Sequence, residues 1–520
     1  MGGRLRGERI TTKNQRKSSM MKSKLIRSKR LHSLTEFKNS LSNLSLNKVP
    51  GKKFFGRSLL KLNMKSNSIL AIAIIMIMIV SVFASLSTSA QNKPSIIQPV
   101  VNNSTGTPPP TSQQTASPTQ KPVNTQQNGP DWNPISIIQT IVDPTPRPAG
   151  LIESNPNVNT SVWKTVAANA WQYFQPGVGV DSNTGLPSGS YGWNYFTDWD
   201  LGVYIQAVID SQKIGLISKD GNWGSHARLD KVVTFLETRE INSTSKVPYW
   251  FYGSDGKGYT TQSSVDIIDT GTLFVALNNL KNFDSNFTLR INNIVYNGLQ
   301  NNRTDYASLV PSIQSFSASA SIYGYYCVSG FASFWPDQLA NIPNEILSNM
   351  YASNVKTPEN VTLPKADISC EPLLYSFFNL NTNPKIVKLM NQTYSAHEAK
   401  YNATGQYVAF SEGTSPSSNF IWEMVVTSNG DTWNITNGQT YLNINPIIYN
   451  KVSLSFLALY NTTFARDMCI YLERILPDPT NGYSAGADYN TNSNNANLVA
   501  GVDSNTNGLI ISAARYALQK

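Results

Sequence analysis

Five carboxylates in this chain could do chemistry together: Asp200, Asp269, Glu371, Glu412 and Glu423. Cleaving a glycosidic bond takes two carboxyl groups, one protonated as general acid and one ionised as base or nucleophile. Asp200 and Asp269 fall in the first turns of expected helices, where the helix dipole favours the anion and so the base. Glu371 opens a third helix just before Pro372. Glu412 and Glu423 lie in a strand-like stretch. Glu423 stands among Ile421, Trp422 and Met424, the apolar company that keeps a general acid protonated. The simpler use of such residues is structural: Asp198 and Asp266 read as helix caps, and the others could cap or form ion pairs. Sugar C–H faces pack on aromatic rings, so Trp193, Trp199, Tyr249, Trp250, Trp422 and Trp433 are the candidate binding residues, with core packing the alternative for each. The Tyr249–Tyr252 cluster falls in a loop, which favours a ligand role for it.

Other chemistries lack their parts. His226 and His397 have no partners at metal-ligand spacing, and no phosphate-binding glycine loop or Ser-His-Asp set is present. Asp503 to Gly508 copies the start of a calcium loop, but Ala514 stands where the bidentate Glu belongs, so Asp503 reads as a cap. No cofactor and no metal is expected.

Helical periodicity begins near residue 155. Helices are expected over 160–173, 199–217, 226–239, 267–280, 288–299, 303–315, 328–340, 371–379, 384–400, 449–473 and 507–519. Apolar helices alternate with amphipathic ones, as in a double ring where one set is buried and the other covers it. Gln406–Phe410 and Phe420–Val426 read as strands, with a turn at Ser428–Asp431, giving a small β-hairpin.

An ordered set of motifs resembles the domain-of-unknown-function family 3131. It runs from Thr197-Asp198-Trp199-Asp200-Leu201-Gly202 through Gln212–Ile217, Arg228-Leu229 and Asp269-Thr270-Gly271 with Leu273. It continues with Glu371-Pro372-Leu373-Leu374, Glu398–Tyr401, Thr404–Gln406, Ser411-Glu412, Asp431-Thr432-Trp433 and Asn505–Gly508. The resemblance covers about residues 160–520. It implies a mainly α fold, an (α/α)6 toroid, and kinship with glucoamylase-like proteins and endo-β-1,2-glucanases. It carries no established activity. At Gly324-Tyr325-Tyr326-Cys327 the chain departs from the family pattern, which has an acidic pair after a Gly-Tyr.

The rest of the chain concerns location. Residues 66–92 hold no charged residue, and Ile69–Leu86 is long and apolar enough for a membrane helix. Residues 1–65 carry 18 Lys or Arg and two acids, so the net charge of +10 hides a tail of +16 and a remainder of −6. Basic residues before a span stay in the cytoplasm, which places the carboxyl-terminal domain outside. Nucleic-acid binding is not expected. Cleavage after Ala90 is the alternative to an anchor, with the same outcome for the domain. The expected organisation is a basic tail (1–67), a transmembrane helix (68–88), a Pro/Thr/Gln/Asn-rich stalk (89–150) with an apolar strap at 135–142, and an extracellular domain (151–520). Asn-x-Ser/Thr sites at Asn102, Asn103, Asn159, Asn242, Asn286, Asn302, Asn360, Asn391, Asn402, Asn434 and Asn461 suit a surface glycoprotein. Cys327, Cys370 and Cys469 allow at most one internal disulfide, so the fold needs a true core. The expected function is a membrane-anchored domain that binds an extracellular polysaccharide or glycan, with its hydrolysis by these carboxylates left open. The alternative is a non-catalytic glycan binder or structural protein of the cell envelope.

Overall fold

The computed structural model describes residues 149–260, 265–296 and 304–520. The basic tail, the apolar run Ile69–Leu86, the site after Ala90, the stalk, the strap at 135–142, and Asn102, Asn103 and Asn302 lie outside those residues. Among the described residues no helix is long and apolar enough to cross a membrane.

Helices dominate. In chain order the longer ones are α1 (Thr160–Trp171), α2 (Asp198–Lys213), α3 (Ser225–Thr238), α4 (Ile267–Phe283), α5 (Thr288–Tyr296), α6 (Ile322–Ala332), α7 (Ile342–Met350), α8 (Cys370–Asn379), α9 (Pro384–Thr404), α10 (Asn450–Tyr460), α11 (Thr463–Ile475) and α12 (Ser504–Gln519). The expected alternation holds. Helices α2, α4, α6, α8, α10 and α12 are buried along most of their lengths, whereas α1, α3, α5, α7, α9 and α11 bury one stripe. The buried helices pack in succession, α2 on α4, α4 on α6, α6 on α8, α8 on α10 and α10 on α12, and α12 packs on α2. The one-sided helices cover them: α1 on α12, α3 on α2, α5 on α4, α7 on α6, α9 on α8 and α11 on α10.

Glycines set how closely the buried helices approach. A Cβ on Gly330 of α6 would stand 2.0 Å from the carbonyl oxygen of Gly271 in α4, and one on Gly271 would stand 2.6 Å from the Cα of Cys327. Only residues without a Cβ fit that crossing. All three cysteines are free and buried, so burial rather than crosslinking holds the fold together.

Helix ends follow local chemistry. The expected helix over 449–473 is two helices, because Asn461 takes a left-handed conformation (φ 48°) that ends α10, and Thr462 then caps α11. The helix expected over 328–340 starts earlier, at Ile322 after Ser321, and stops before Trp335-Pro336, where a short second helix (Pro336–Leu339) begins. Proline suits that first turn and no later one. Near 303–315 the chain forms a short 3-10 segment and then the helix Val310–Gln314.

Small antiparallel sheets decorate the helices: β1 (Tyr195–Phe196) with β2 (Tyr252–Gly253), and β3 (Asn354–Lys356) with β4 (Thr362–Pro364). A three-stranded sheet joins β5 (Glu412–Thr414), β6 (Phe420–Val426) and β7 (Thr432–Thr436), and another joins β8 (Ile447–Tyr449), β9 (Ser484–Asp488) and β10 (Leu498–Val502). The expected strand at 406–410 is irregular apart from one parallel bridge between Ala409 and Ile448, and the first ladder of this stretch begins at Glu412.

Candidate active site

The first turns of five of the six buried helices, all but α8, meet at one cavity of about 740 Å³. Thr197, Trp199 and Asp200 reach it from the start of α2, Asp266, Ile268 and Asp269 from α4, Tyr323 from α6, Lys451 from α10, and Asp503 and Asn505 from α12. The sheet β5–β7 closes another side with Glu412, Gly413, Thr414, Phe420, Trp422, Met424 and Thr436. Trp193 and Trp250 line it from loops before α2 and α4.

Several of these acids also hold helix ends. Thr197, not Asp198, caps α2. Its side chain accepts the N–H of Trp199 at 3.1 Å, while Asp200 Oδ2 accepts the Thr197 N–H at 3.0 Å, completing a capping box. The hydroxyl of Ser504 donates to Asp200 Oδ1 at 2.6 Å. Asp198 points elsewhere, into a buried ion pair with Arg239 at 2.6 Å. Asp266 caps α4 by accepting the N–H groups of Ile268 and Asp269 through Oδ1. Asp503 caps α12, accepting the Thr506 N–H at 2.6 Å and its hydroxyl at 2.9 Å.

Asp269 has a different environment. Its Oδ2 accepts the indole N–H of Trp250 at 3.3 Å. Burial pushes its carboxyl well above the ordinary aspartate range, and the neighbouring Asp266 carboxyl pushes the same way. It therefore holds its proton to higher pH than an exposed aspartate does. On the other wall, the hydroxyl of Tyr323 donates to Glu412 Oε2 at 2.7 Å. Burial raises Glu412 too, and the ammonium of Lys451 offsets only part of that rise.

The two remaining predicted acids do not line the cavity. Along β6, side chains alternate between faces. Phe420, Trp422 and Met424 face the cavity, so Glu423 faces the core with Ile421 and Val425. The register agrees: Trp422 stands opposite Glu412, and Glu423 opposite the buried Ile435. Glu423 Oε1 accepts the Ile447 N–H at 2.8 Å, and burial raises its carboxyl well above the usual range without bringing it to a ligand. Glu371, fully buried at the start of α8, accepts a hydrogen bond from Lys451. Burial would drive the proton off Lys451, but the carboxylates of Glu371, Asp503 and Glu412 hold its pKa up.

Among the predicted aromatics, Trp193, Trp199, Trp250 and Trp422 line the cavity, and Tyr249 and Trp433 do not. Tyr249 packs beside Tyr252. Trp433 donates its indole N–H to Glu359 at 3.0 Å and lies edge-on to His397 and Phe410. His397 is a core residue, donating from Nδ1 to the Thr393 carbonyl at 2.8 Å and accepting the Phe410 N–H at Nε2 at 3.1 Å. Tyr326 and Cys327 are buried, Tyr326 stacking on Tyr375 and Cys327 donating to the Ile267 carbonyl at 3.2 Å.

Sequence reasoning passed over Tyr323, Lys451, Asn505 and the cavity-facing side of Asp503. Lys451 carried a signal: a lysine in the first turn of an apolar helix opposes the dipole there, so it needs an acid close by.

The family model described as "Protein of unknown function (DUF3131)" matches residues 165–520. The chain belongs to the DUF3131 family. A comparison with curated proteins finds no match. Among solved structures, this DUF3131 chain is similar to the endo-β-1,2-glucanase of Talaromyces funiculosus in complex with sophorose, with TM-score 0.51 and 8% identity over 70% of this chain and 85% of that one. It is also similar to the endo-β-1,2-glucanase of Chitinophaga pinensis with sophorotriose and glucose (TM-score 0.46, 13% identity, 70% and 95% covered). A candidate glucoamylase from Bacteroides fragilis NCTC 9343 matches with TM-score 0.47 and 12% identity, over 72% of this chain and 95% of that one.

Proposed function

We propose that this DUF3131 domain binds a glycan chain in the cavity and hydrolyses it, with Asp269 as general acid and Glu412 as base or nucleophile. In that reading Asp269 gives its proton to the leaving glycosidic oxygen, while Glu412 activates water or attacks the anomeric carbon. The observation that carries it is the placing of carboxyl groups from two separate walls in one cavity lined by Trp193, Trp199, Trp250 and Trp422. Asp200 then orients the start of α2, and Lys451 favours the anion of Glu412. We further read the succession of buried and covering helices as an (α/α)6 toroid. The similarity in fold to a glucanase solved with sophorose supports this.

The domain is proposed to lie outside the cell, on a single-pass anchor at Ile69–Leu86. The basic tail supports that orientation, and so does the exposure of the sequon residues Asn159, Asn286, Asn360, Asn391, Asn402 and Asn461. The resemblance favours a second reading, a glycan binder without hydrolysis: it implies an acidic pair where this chain has Tyr326 and Cys327. A screen of the full-length protein against glucans and other glycans, reading both binding and released reducing ends, separates the two. Hydrolysis that disappears in Asp269→Asn and Glu412→Gln supports the enzyme. Binding without hydrolysis supports the binder, and no binding to any glycan overturns both.

A further inference from the structure

Two turns at the cavity rim each carry an exposed tyrosine. Tyr191 lies between the cavity-lining residues Ser190 and Trp193 and is 50% exposed. Its turn is pinned: Gly189 donates to the Tyr195 carbonyl at 2.6 Å, Tyr191 to Val502 at 2.8 Å and Trp193 to Ser190 at 3.1 Å. Tyr441 is 63% exposed and pairs with the cavity-lining Thr436 across a tight turn. That turn is also pinned, with Asn437 Oδ1 accepting the N–H groups of Gln439 and Thr440 at 3.0 and 2.9 Å and Leu442 donating to Ile435 at 2.8 Å. Among the described residues neither ring makes a hydrogen bond or a ring contact.

An aromatic ring that leaves half or more of its residue's surface in water on a fixed backbone gives the fold little packing. It does offer a flat apolar face at small entropic cost, since few torsions need to freeze when something stacks on it. The residues beside both tyrosines already belong to the cavity wall, so a ligand filling the cavity and extending beyond it meets these rings next.

Building on the glycan reading above, we propose that Tyr191 and Tyr441 are stacking platforms that extend the cavity and make the preferred ligand a polysaccharide, not a mono- or disaccharide. The binding site is then open at both rim turns, and chain length sets affinity.

The test uses the full-length protein with polymeric β-1,2-, β-1,3- and α-1,4-glucans and the matching disaccharides, in calorimetric titrations. The expected result is tighter binding of at least one polymer than of its disaccharide. Tyr191→Ala and Tyr441→Ala should each weaken polymer binding about fivefold, from the usual worth of a ring contact, and leave disaccharide binding unchanged. Trp250→Ala, inside the cavity, should weaken both. Equal affinity for polymer and disaccharide, or tyrosine variants that leave polymer binding intact, would overturn the platforms while the glycan reading stands. Loss of polymer and disaccharide binding together in the tyrosine variants would overturn them as well. If none of the glucans binds, the platforms and the glucan form of the glycan reading both fall.

Discussion

On the wall made from helix ends, Asp200, Asp266 and Asp503 face the cavity and also satisfy backbone N–H groups of their helices. On the wall made from β5–β7, Glu412 and Trp422 face the cavity and satisfy no helix end, while one step along the same strand Glu423 is sealed into the core. The first wall ties site to stability, because the groups that meet a ligand also hold the helices that carry them. The second sorts its residues by the two-residue period of a strand, so neighbouring glutamates have opposite fates. Asp269 belongs to the first wall by position, but its side chain is not the cap.

The largest effect that tests this contrast is Asp269→Asn. If Asp269 is the general acid, hydrolysis falls by about 10²- to 10⁴-fold in a reducing-end assay. Its carboxyl is raised by burial and by Asp266, so the native fold is favoured while the proton stays on and loses that advantage as pH rises through the folded pKa. The Asn variant should therefore melt higher than wild type at neutral to alkaline pH. Glu423→Gln should leave hydrolysis unchanged. A loss in Glu423→Gln with none in Asp269→Asn would reverse the assignment of the two walls.

Next in size is the ion pair beneath the cavity. Lys451→Met leaves Glu371 buried without its partner and should cost about 3–5 kcal/mol in urea unfolding, the usual penalty for half of a buried pair. Adding Glu371→Leu should restore most of that loss. If it does not, Lys451 is held chiefly by Glu412 and Asp503.

Much of this was legible in the sequence, and the limits have physical causes. The alternation of buried and covering helices showed in apolar periodicity because burial on all sides and on one stripe leave different patterns. Asp200 and Asp269 could be placed at helix starts because caps are local. The face of β6 could not be read from its pattern: Phe420 to Val426 is apolar on both sides except for Glu423, and only the pairing of Trp422 with Glu412 decides which side meets the cavity. Trp433 read as a candidate binding residue, but its partners Glu359, His397 and Phe410 are distant in sequence. Lys451 lay in an apolar helix, and its partner Glu371 is eighty positions away.

The walls should also differ in pH response. His397, behind the hairpin, is lowered from 6.5 to about 4 because burial disfavours its charged form. The unfolded chain takes up a proton below pH 6.5 while the folded one resists to about pH 4, so stability falls on acidification across that window. The loss is about 3 kcal/mol for a shift of this size. The raised carboxyls of Asp200, Asp266 and Asp269 act in the opposite sense, costing stability as pH rises. Unfolding measured from pH 4 to 8 gives the sum of the two effects, and His397→Gln should remove the His397 part, the loss of stability on acidification below pH 6.5.

The smallest effect separates cap from charge at Asp503. Its carboxyl accepts the Thr506 N–H, and it also contributes to the field that holds Lys451 charged. Asn caps a helix about as well as Asp but carries no charge, whereas Ala does neither. If capping dominates, Asp503→Ala loses about 1 kcal/mol and Asp503→Asn loses almost nothing. If the charge on Lys451 dominates, the two variants lose the same amount, and Asp503 belongs with Glu412 and Glu371 in one ionic cluster. The helix-end wall would then be held by that ionic cluster, and its likeness to the other caps at Asp266 and Thr197 would be one of position only.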